Sequence, residues 1–187
     1  IRVLFIFLTT IALSLPAKAQ EWNGKWISSP NADAPNTWTG FKKIVPVTSI
    51  PQSLPLRIAA DTEYWLWING KMVVFEGGIK RGPTPVDTYY DSLNIAPYLV
   101  QGENLMAVLL WHFGKEGYAH KNSSRAGLLI DGMDNGKAFS TNDSWQAGRL
   151  EAFGTAGGSQ ANFRLAESNL RFDARLDIGD WISNRNN

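Results

Sequence analysis

The 187-residue chain has no cysteine, eight tryptophans, and eighteen basic against seventeen acidic residues, a formal charge of +1. That balance gives no electrostatic reason to expect nucleic acid or an anionic membrane as a partner. Two histidines, with no cysteine and no H-x-x-x-H pair, argue against zinc, and without disulfides stability must come from an apolar, aromatic core.

Arg2 precedes an apolar run from Val3 to Leu15, and "AKAQ" sets Ala17 and Ala19 before Gln20. A charged start, a short apolar stretch and an A-x-A exit read as a secretory signal peptide over 1–19. The run is shorter than the roughly 20 residues of a spanning helix. A secreted or periplasmic protein is therefore expected, with no membrane span after cleavage. Losing Arg2 and Lys18 leaves sixteen bases against seventeen acids.

From Trp22 onward short apolar runs alternate with Pro, Gly, Asn and Asp, and no long amphipathic helix is visible. "FKKIVPV" (41–47) reads as a strand, and Pro46 makes it an edge strand. "LRIAA" (56–60) follows. "DTEYWLWINGKMVVFEGG" (61–78) is a hairpin: Tyr64, Leu66 and Ile68 share one face and Trp65 and Trp67 the other. Asn69-Gly70 is the two-residue turn, since both central residues of a type I′ turn need positive φ. The more aliphatic face is the core choice. Two tryptophans left in water would cost roughly 25 cal/mol per Å² of apolar surface, so the other face needs cover from another part of the chain, a partner domain or a sugar.

"APYL" (96–99) suggests a short helical turn. "NLMAVLLW" (104–111) is apolar on both faces, as a central strand is. "AGLLI" (126–130) and "KAFS" (137–140) read as strands joined by "DGMDNG", a hairpin turn. Residues 20–147 then form an all-β fold, a β-sandwich or jelly roll, with at most short helical turns. Residues 148–187 read as a linker and the start of a following, truncated module.

Several of these stretches, "EWNGKWISSP", "YWLWINGKMVV", "RGPTPVDTYYDSLNIAPYLVQGENLMAVLLWHFGK" and "STNDSW", in this order resemble the N-terminal β-sandwich module of bacterial α-L-rhamnosidases and related glycoside hydrolases. The likeness runs from about Trp26 to Trp145, with Asn94 where the family pattern has Asp. "FDARLDIGDW" resembles the run that follows this module, with Phe172 for Tyr and Asp177 for Glu. The resemblance implies an exported protein of polysaccharide breakdown. In that family the hydrolytic carboxylates lie in a later helical barrel, and no helical pattern for one is present here, so no catalytic residue is carried over. An accessory module is expected, a fragment or truncated copy without its catalytic domain. Its partners would be that neighbouring domain and a carbohydrate, a rhamnose-containing glycan. An independent lectin-like protein is the alternative.

"KRGP" (80–83), "DTYYD" (87–91) and "WHFGKEGY" (111–118) lie at strand ends and can gather at one end of the sandwich. Arg81, Tyr90, Asp91, Trp111, His112 and Tyr118 are the ligand-binding candidates. The competing structural reading has them pin the 76–89 loop over the sheet, with His112 bonded to a backbone carbonyl. No cofactor or metal is required. Jelly-roll sugar-binding modules often hold a structural Ca²⁺, and "DGMDNG" (131–136) has acids, but six to eight oxygen ligands are needed and a hairpin turn is the simpler reading.

Overall fold

The computed structural model describes residues 21–78, 84–117, 120–156 and 170–185; the expected signal peptide, Arg81 and Tyr118 lie outside them. The fold is a β-sandwich. Its strands are β1 (Thr37–Val47), β2 (Pro55–Asp61), β3 (Glu63–Ile68), β4 (Lys71–Gly78), β5 (Asp91–Asn94), β6 (Gly102–His112), β7 (Gly127–Gly132), β8 (Gln146–Arg149), β9 (Phe153–Thr155) and β10 (Leu170–Phe172). Short 3₁₀ turns at Ala96–Tyr98, Asp134–Phe139 and Ala174–Leu176 are the helical elements among the described residues. A five-stranded sheet of order β4-β3-β6-β1-β8 faces a three-stranded sheet of order β5-β2-β7, and β9 pairs with β10. All named pairings are antiparallel.

The inner faces supply the core. Phe41, Tyr64, Leu66, Ile68, Val108 and Leu110 from the larger sheet meet Leu56, Ile58, Leu128 and Ile130 from the smaller one. The expected hairpin is present. Asn69 has φ 51° and Gly70 φ 74°, and Tyr64, Leu66 and Ile68 are fully buried. Asn69 also ties the turn to the strand that follows it in space. Its Nδ2 donates to Asn104 Oδ1 (2.9 Å) and to the Tyr98 carbonyl (3.1 Å), while its Oδ1 accepts from Leu105 N (3.0 Å). Asn104 in turn bonds both backbone groups of Val100 and the carbonyl of Gly102. The N-G and G-E-N stretches are thus interlocked through the half-buried Asn69 amide and the buried Asn104 amide, each side-chain atom of which has a partner. Asn94 caps the next turn, its Oδ1 accepting from Leu54 N and Ala96 N. A carboxylate oxygen could accept both bonds equally.

Two local readings need correction. The strand carrying Pro46 begins earlier, at Thr37, and lies one strand in from the edge, between β6 and β8. Proline is accommodated because β8 reaches only Thr39–Lys42, so at Pro46 β1 has a neighbour on one side alone. "KAFS" is not a strand, and "DGMDNG" is not a hairpin turn. The chain leaves β7 directly into the Asp134–Phe139 3₁₀ helix. Gly132 and Gly136 approach so closely that a Cβ on Gly132 would sit 1.8 Å from the Gly136 carbonyl oxygen. This tight reversal drops Phe139 into the core.

The outer face of the five-stranded sheet is a second apolar layer. Trp38 stacks on Trp111 (centroids 4.4 Å), Phe153 (4.6 Å) and Trp65 (5.6 Å). One row across this face reads Trp65, Leu109, Gly40, Gly148. At Gly40 the missing side chain leaves room for Trp181: a Cβ there would meet the Trp181 ring at 3.3 Å and Leu150 at 3.4 Å, whereas one on Gly148 would meet open space. Trp181 also meets Trp67 edge-on at 6.5 Å. The cover that Trp65 and Trp67 require is supplied by this chain's own residues, those of 150–153 and 181–182 included.

Candidate functional site

The register brings one end of the sandwich together. The ends of β2, β4 and β6 and the starts of β1, β3, β5 and β7 all lie there: Thr37 is opposite His112, Trp111 opposite Glu63, Glu63 opposite Gly78, Asp61 opposite Gly127, and Ile58 opposite Asp91. The loop 113–126 leaves β6 at the same end. Tyr90, Asp91, Trp111 and His112 therefore gather as their positions at strand ends suggested, but their side chains take three different directions.

His112 points between the sheets and is buried. Its Nδ1 lies 3.2 Å from Asp61 Oδ1 and 3.3 Å from the Asp61 carbonyl oxygen. Asp61 is the hub of this cluster. Its Oδ2 accepts from Ser123 Oγ (2.5 Å) and its Oδ1 from Thr62 Oγ1 (3.2 Å), and that hydroxyl accepts from Phe113 N (3.2 Å). Either oxygen of Asp61 can accept from an Nδ1–H of His112. The other ring nitrogen, Nε2, is buried with no hydrogen-bond partner among the described residues. Serine, aspartate and histidine are all present here, yet in the wrong order for nucleophilic catalysis. The hydroxyl bonds the carboxylate, whereas activation requires it on the imidazole. What the cluster can do is pin Phe113 and Ser123 to the β2–β3 connection.

Asp91 alternates to the inner side of β5. Its Oδ2 accepts from the Tyr64 hydroxyl (2.8 Å) and from Gly78 N (3.0 Å), so it straps β5 across to the hairpin. Burial, and then the Asp91 carboxylate, push the Tyr64 phenol far above its usual range. Tyr64 is therefore a neutral donor at neutral pH. Trp111 belongs to the outer layer of the five-stranded sheet, beneath Trp38, and its indole nitrogen is buried without an acceptor among the described residues.

Tyr90, next to Asp91, turns to the opposite face of the three-stranded sheet. There it meets Trp22 edge-on at 5.5 Å, and Arg57 lies 5.9 Å from its ring. Arg57 and Asp131 form a buried ion pair through Nε and Nη2. Asp131 Oδ1 accepts from Asn23 N and Gly24 N (3.0 Å from Gly24), which fastens the 21–24 segment over the sheet. Burial by itself would raise the Asp131 pKa, but the Arg57 guanidinium and the two amides outweigh it and hold the carboxyl below its ordinary value. Arg57, Asp61, Asp131 and Trp22 were not among the sequence candidates. Arg57 and Asp131 do alternate with apolar residues in strand-like runs, which marks a charge on a sheet face, but nothing local pairs residues 74 positions apart.

No group of three or more His, Asp or Glu side chains suited to a metal ion occurs among the described residues. The acids of 131–136 are divided between Asp131, committed to Arg57, and Asp134, which opens the 3₁₀ helix.

Comparison with solved structures finds the same architecture in three rhamnosidases. The chain matches a GH78 family rhamnosidase of Bacillus sp. GL1 with a TM-score of 0.73 and 27% identity, over 87% of this chain and 17% of that one. It matches α-L-rhamnosidase from Dictyoglumus thermophilum with a TM-score of 0.60 and 16% identity, over 86% of this chain and 19% of that one. It matches α-L-rhamnosidase from Aspergillus terreus with a TM-score of 0.57 and 18% identity, over 82% of this chain and 18% of that one. The chain thus spans less than a fifth of the length of each, consistent with an N-terminal domain-like portion. No protein-family model and no curated protein matches it.

Proposed function

We propose that this chain, a β-sandwich of the α-L-rhamnosidase type, is a non-catalytic accessory module of a secreted glycoside hydrolase, scaffolding a catalytic domain and holding carbohydrate. The observation that carries this reading is how the acids of the candidate region are used. Glycoside hydrolysis needs one carboxyl free to protonate the leaving oxygen and a second about 5–9.5 Å away as nucleophile or base. Asp61 is committed to Ser123, Thr62 and His112, Asp91 to Tyr64 and Gly78, and Asp131 to Arg57, Asn23 and Gly24. These carboxylates hold the fold together, and their chemistry is spent on it.

A docking role is supported by the exposed apolar side chains around the tryptophan layer. Phe75 stands edge-on to Trp65, and Phe172 stands edge-on to Phe153. Both are more than half exposed, as is Ile178. Apolar surface of this kind suits a protein neighbour better than water, and the neighbour proposed is the catalytic domain. Export follows from the leader-like 1–19 stretch, and a rhamnose-containing glycan is the ligand class suggested by the relatives' activity. The second reading, an independent carbohydrate-binding protein, draws on the half-exposed aromatics of the opposite sheet.

Purified protein incubated with an aryl α-L-rhamnoside is expected to release no aglycone above the buffer rate. Turnover that a single carboxylate substitution abolishes would refute the accessory assignment.

A further inference from the structure

We infer that the outer face of the three-stranded sheet is a binding platform for a neutral pyranoside, centred on Arg57 and Tyr90 and flanked by Trp22, Trp26 and Ser92. This deepens the carbohydrate-holding part of the proposed function and places the sugar away from the Asp61–His112 cluster.

The platform is built by register. Ser92 on β5 and Asp131 on β7 both lie opposite Arg57 on β2, so the three form one row across the sheet. Tyr90, two residues before Ser92, extends the same face. The 21–27 segment completes it from above. The Arg57 guanidinium lies 4.4 Å over the Trp22 ring, its Nη2 also donates to the Glu21 carbonyl (3.0 Å), and Trp26 packs against Gly127, where a Cβ would meet its ring at 2.8 Å.

Each part of this arrangement suits a sugar. A pyranose presents an apolar C–H face, which an exposed aromatic ring covers, and a rim of hydroxyls, which a fixed planar donor binds. Tyr90 is 42% exposed and Trp26 50% exposed, so open aromatic surface is at hand. Arg57 is locked on the protein side: Nε and Nη2 go to Asp131, and Nη2 to Glu21. Arg57 as a whole is only 7% exposed, and Nη1 is the one guanidinium nitrogen that no hydrogen bond among the described residues engages. Two nitrogens held by the fold fix the direction of the third, which lowers the entropy cost of its bond to a ligand hydroxyl. Asp131 cancels the charge, which favours a neutral ligand over a carboxylate-bearing one. Stability alone accounts poorly for the arrangement, because a buried ion pair is commonly replaceable by apolar residues without loss.

The test is calorimetric titration of the whole chain with methyl α-L-rhamnopyranoside, methyl β-D-galactopyranoside and methyl β-D-glucopyranoside. At least one is expected to bind saturably, and Tyr90→Ala, a surface change, is expected to weaken it at least about tenfold with an unaltered far-UV spectrum and melting midpoint. Arg57→Lys keeps the charge paired with Asp131 but loses the planar fork, and is expected to weaken binding likewise. The inference is overturned if none of the three binds, or if binding is indifferent to Tyr90→Ala. Neither result touches the accessory reading, which the aryl-rhamnoside assay decides separately.

Discussion

Trp38→Ala is expected to destabilise the protein by about 3–5 kcal/mol, the range for deleting a large buried aromatic side chain. Trp38 is 2% exposed and stands at the middle of the outer layer, with Trp65, Trp111 and Phe153 all stacked near-parallel to it at 18–25°. Its removal takes one ring face from each of three neighbours at once. The surrounding backbone has little freedom to collapse into the space, because β1 is paired with β6 here and on its other side the Trp38 carbonyl accepts from Leu150 N (2.9 Å). For a chain of this length the loss corresponds to a fall in the melting midpoint of roughly 6–20 °C, measurable by circular dichroism. A change under about 1 kcal/mol would mean that the stack contributes far less than its burial implies. Trp111→Phe makes a useful contrast. Its indole N–H is buried without an acceptor among the described residues, and such a group costs about 1–3 kcal/mol, so the smaller ring should be tolerated much better than volume alone suggests.

Asp131→Ala is expected to cost about 3–5 kcal/mol, because it strands a buried guanidinium and releases two backbone amides of the 21–24 segment. Replacing Arg57 and Asp131 together with apolar residues should cost much less than either single change, a coupling that a double-mutant cycle reads directly. The pH dependence follows from the carboxyl being held below its ordinary value. Its folded pKa lies below the unfolded value of about 3.9, so the contribution is present in full above that value. It is lost as pH falls through the folded pKa. The stability profile from neutral pH downward should therefore stay level with respect to this group until about pH 4 and then drop. An Asp131→Asn protein should begin lower and fall less steeply in acid. A parallel acid limb in the two proteins would show that the pair does not govern it.

Much of the fold was legible in the sequence where period-2 alternation coincided with a turn that only certain residues can make. Tyr64, Leu66 and Ile68 went inward against Trp65 and Trp67, and Asn69-Gly70 closed the hairpin, because each signal constrained the same few residues. The stretches that misled were short and ambiguous. "KAFS" has strand-like character in isolation, but it is too near Gly132 and Gly136 to escape the reversal those glycines permit. β8, "QAGR", has no alternation at all; it is a strand because β1 offers it an edge. "TWTG", ahead of "FKKIVPV", was not read as strand, since Gly40 interrupts the pattern; its absent side chain is what admits Trp181.

The candidate site was legible in place and not in role. The register did bring Tyr90, Asp91, Trp111 and His112 to one end. Which face each side chain takes depends on the parity of its strand position, and what it bonds depends on distant partners. Asp91 found Tyr64, 27 residues away, and Asp61 found Ser123, 62 residues away. Contacts of that separation leave no local trace, and the charges of Arg57 and Asp131, each set in an apolar strand-like run, were the unused clue.

Trp181, seated over Gly40, gives the C-terminal stretch a duty that its sparse secondary structure conceals. A shortened protein ending near Gln146 would carry an intact inner core and yet bare a broad indole surface along Trp38, Trp65, Trp67 and Trp111. Such a product should self-associate or precipitate during purification, so any domain boundary chosen for bench work belongs beyond Trp181.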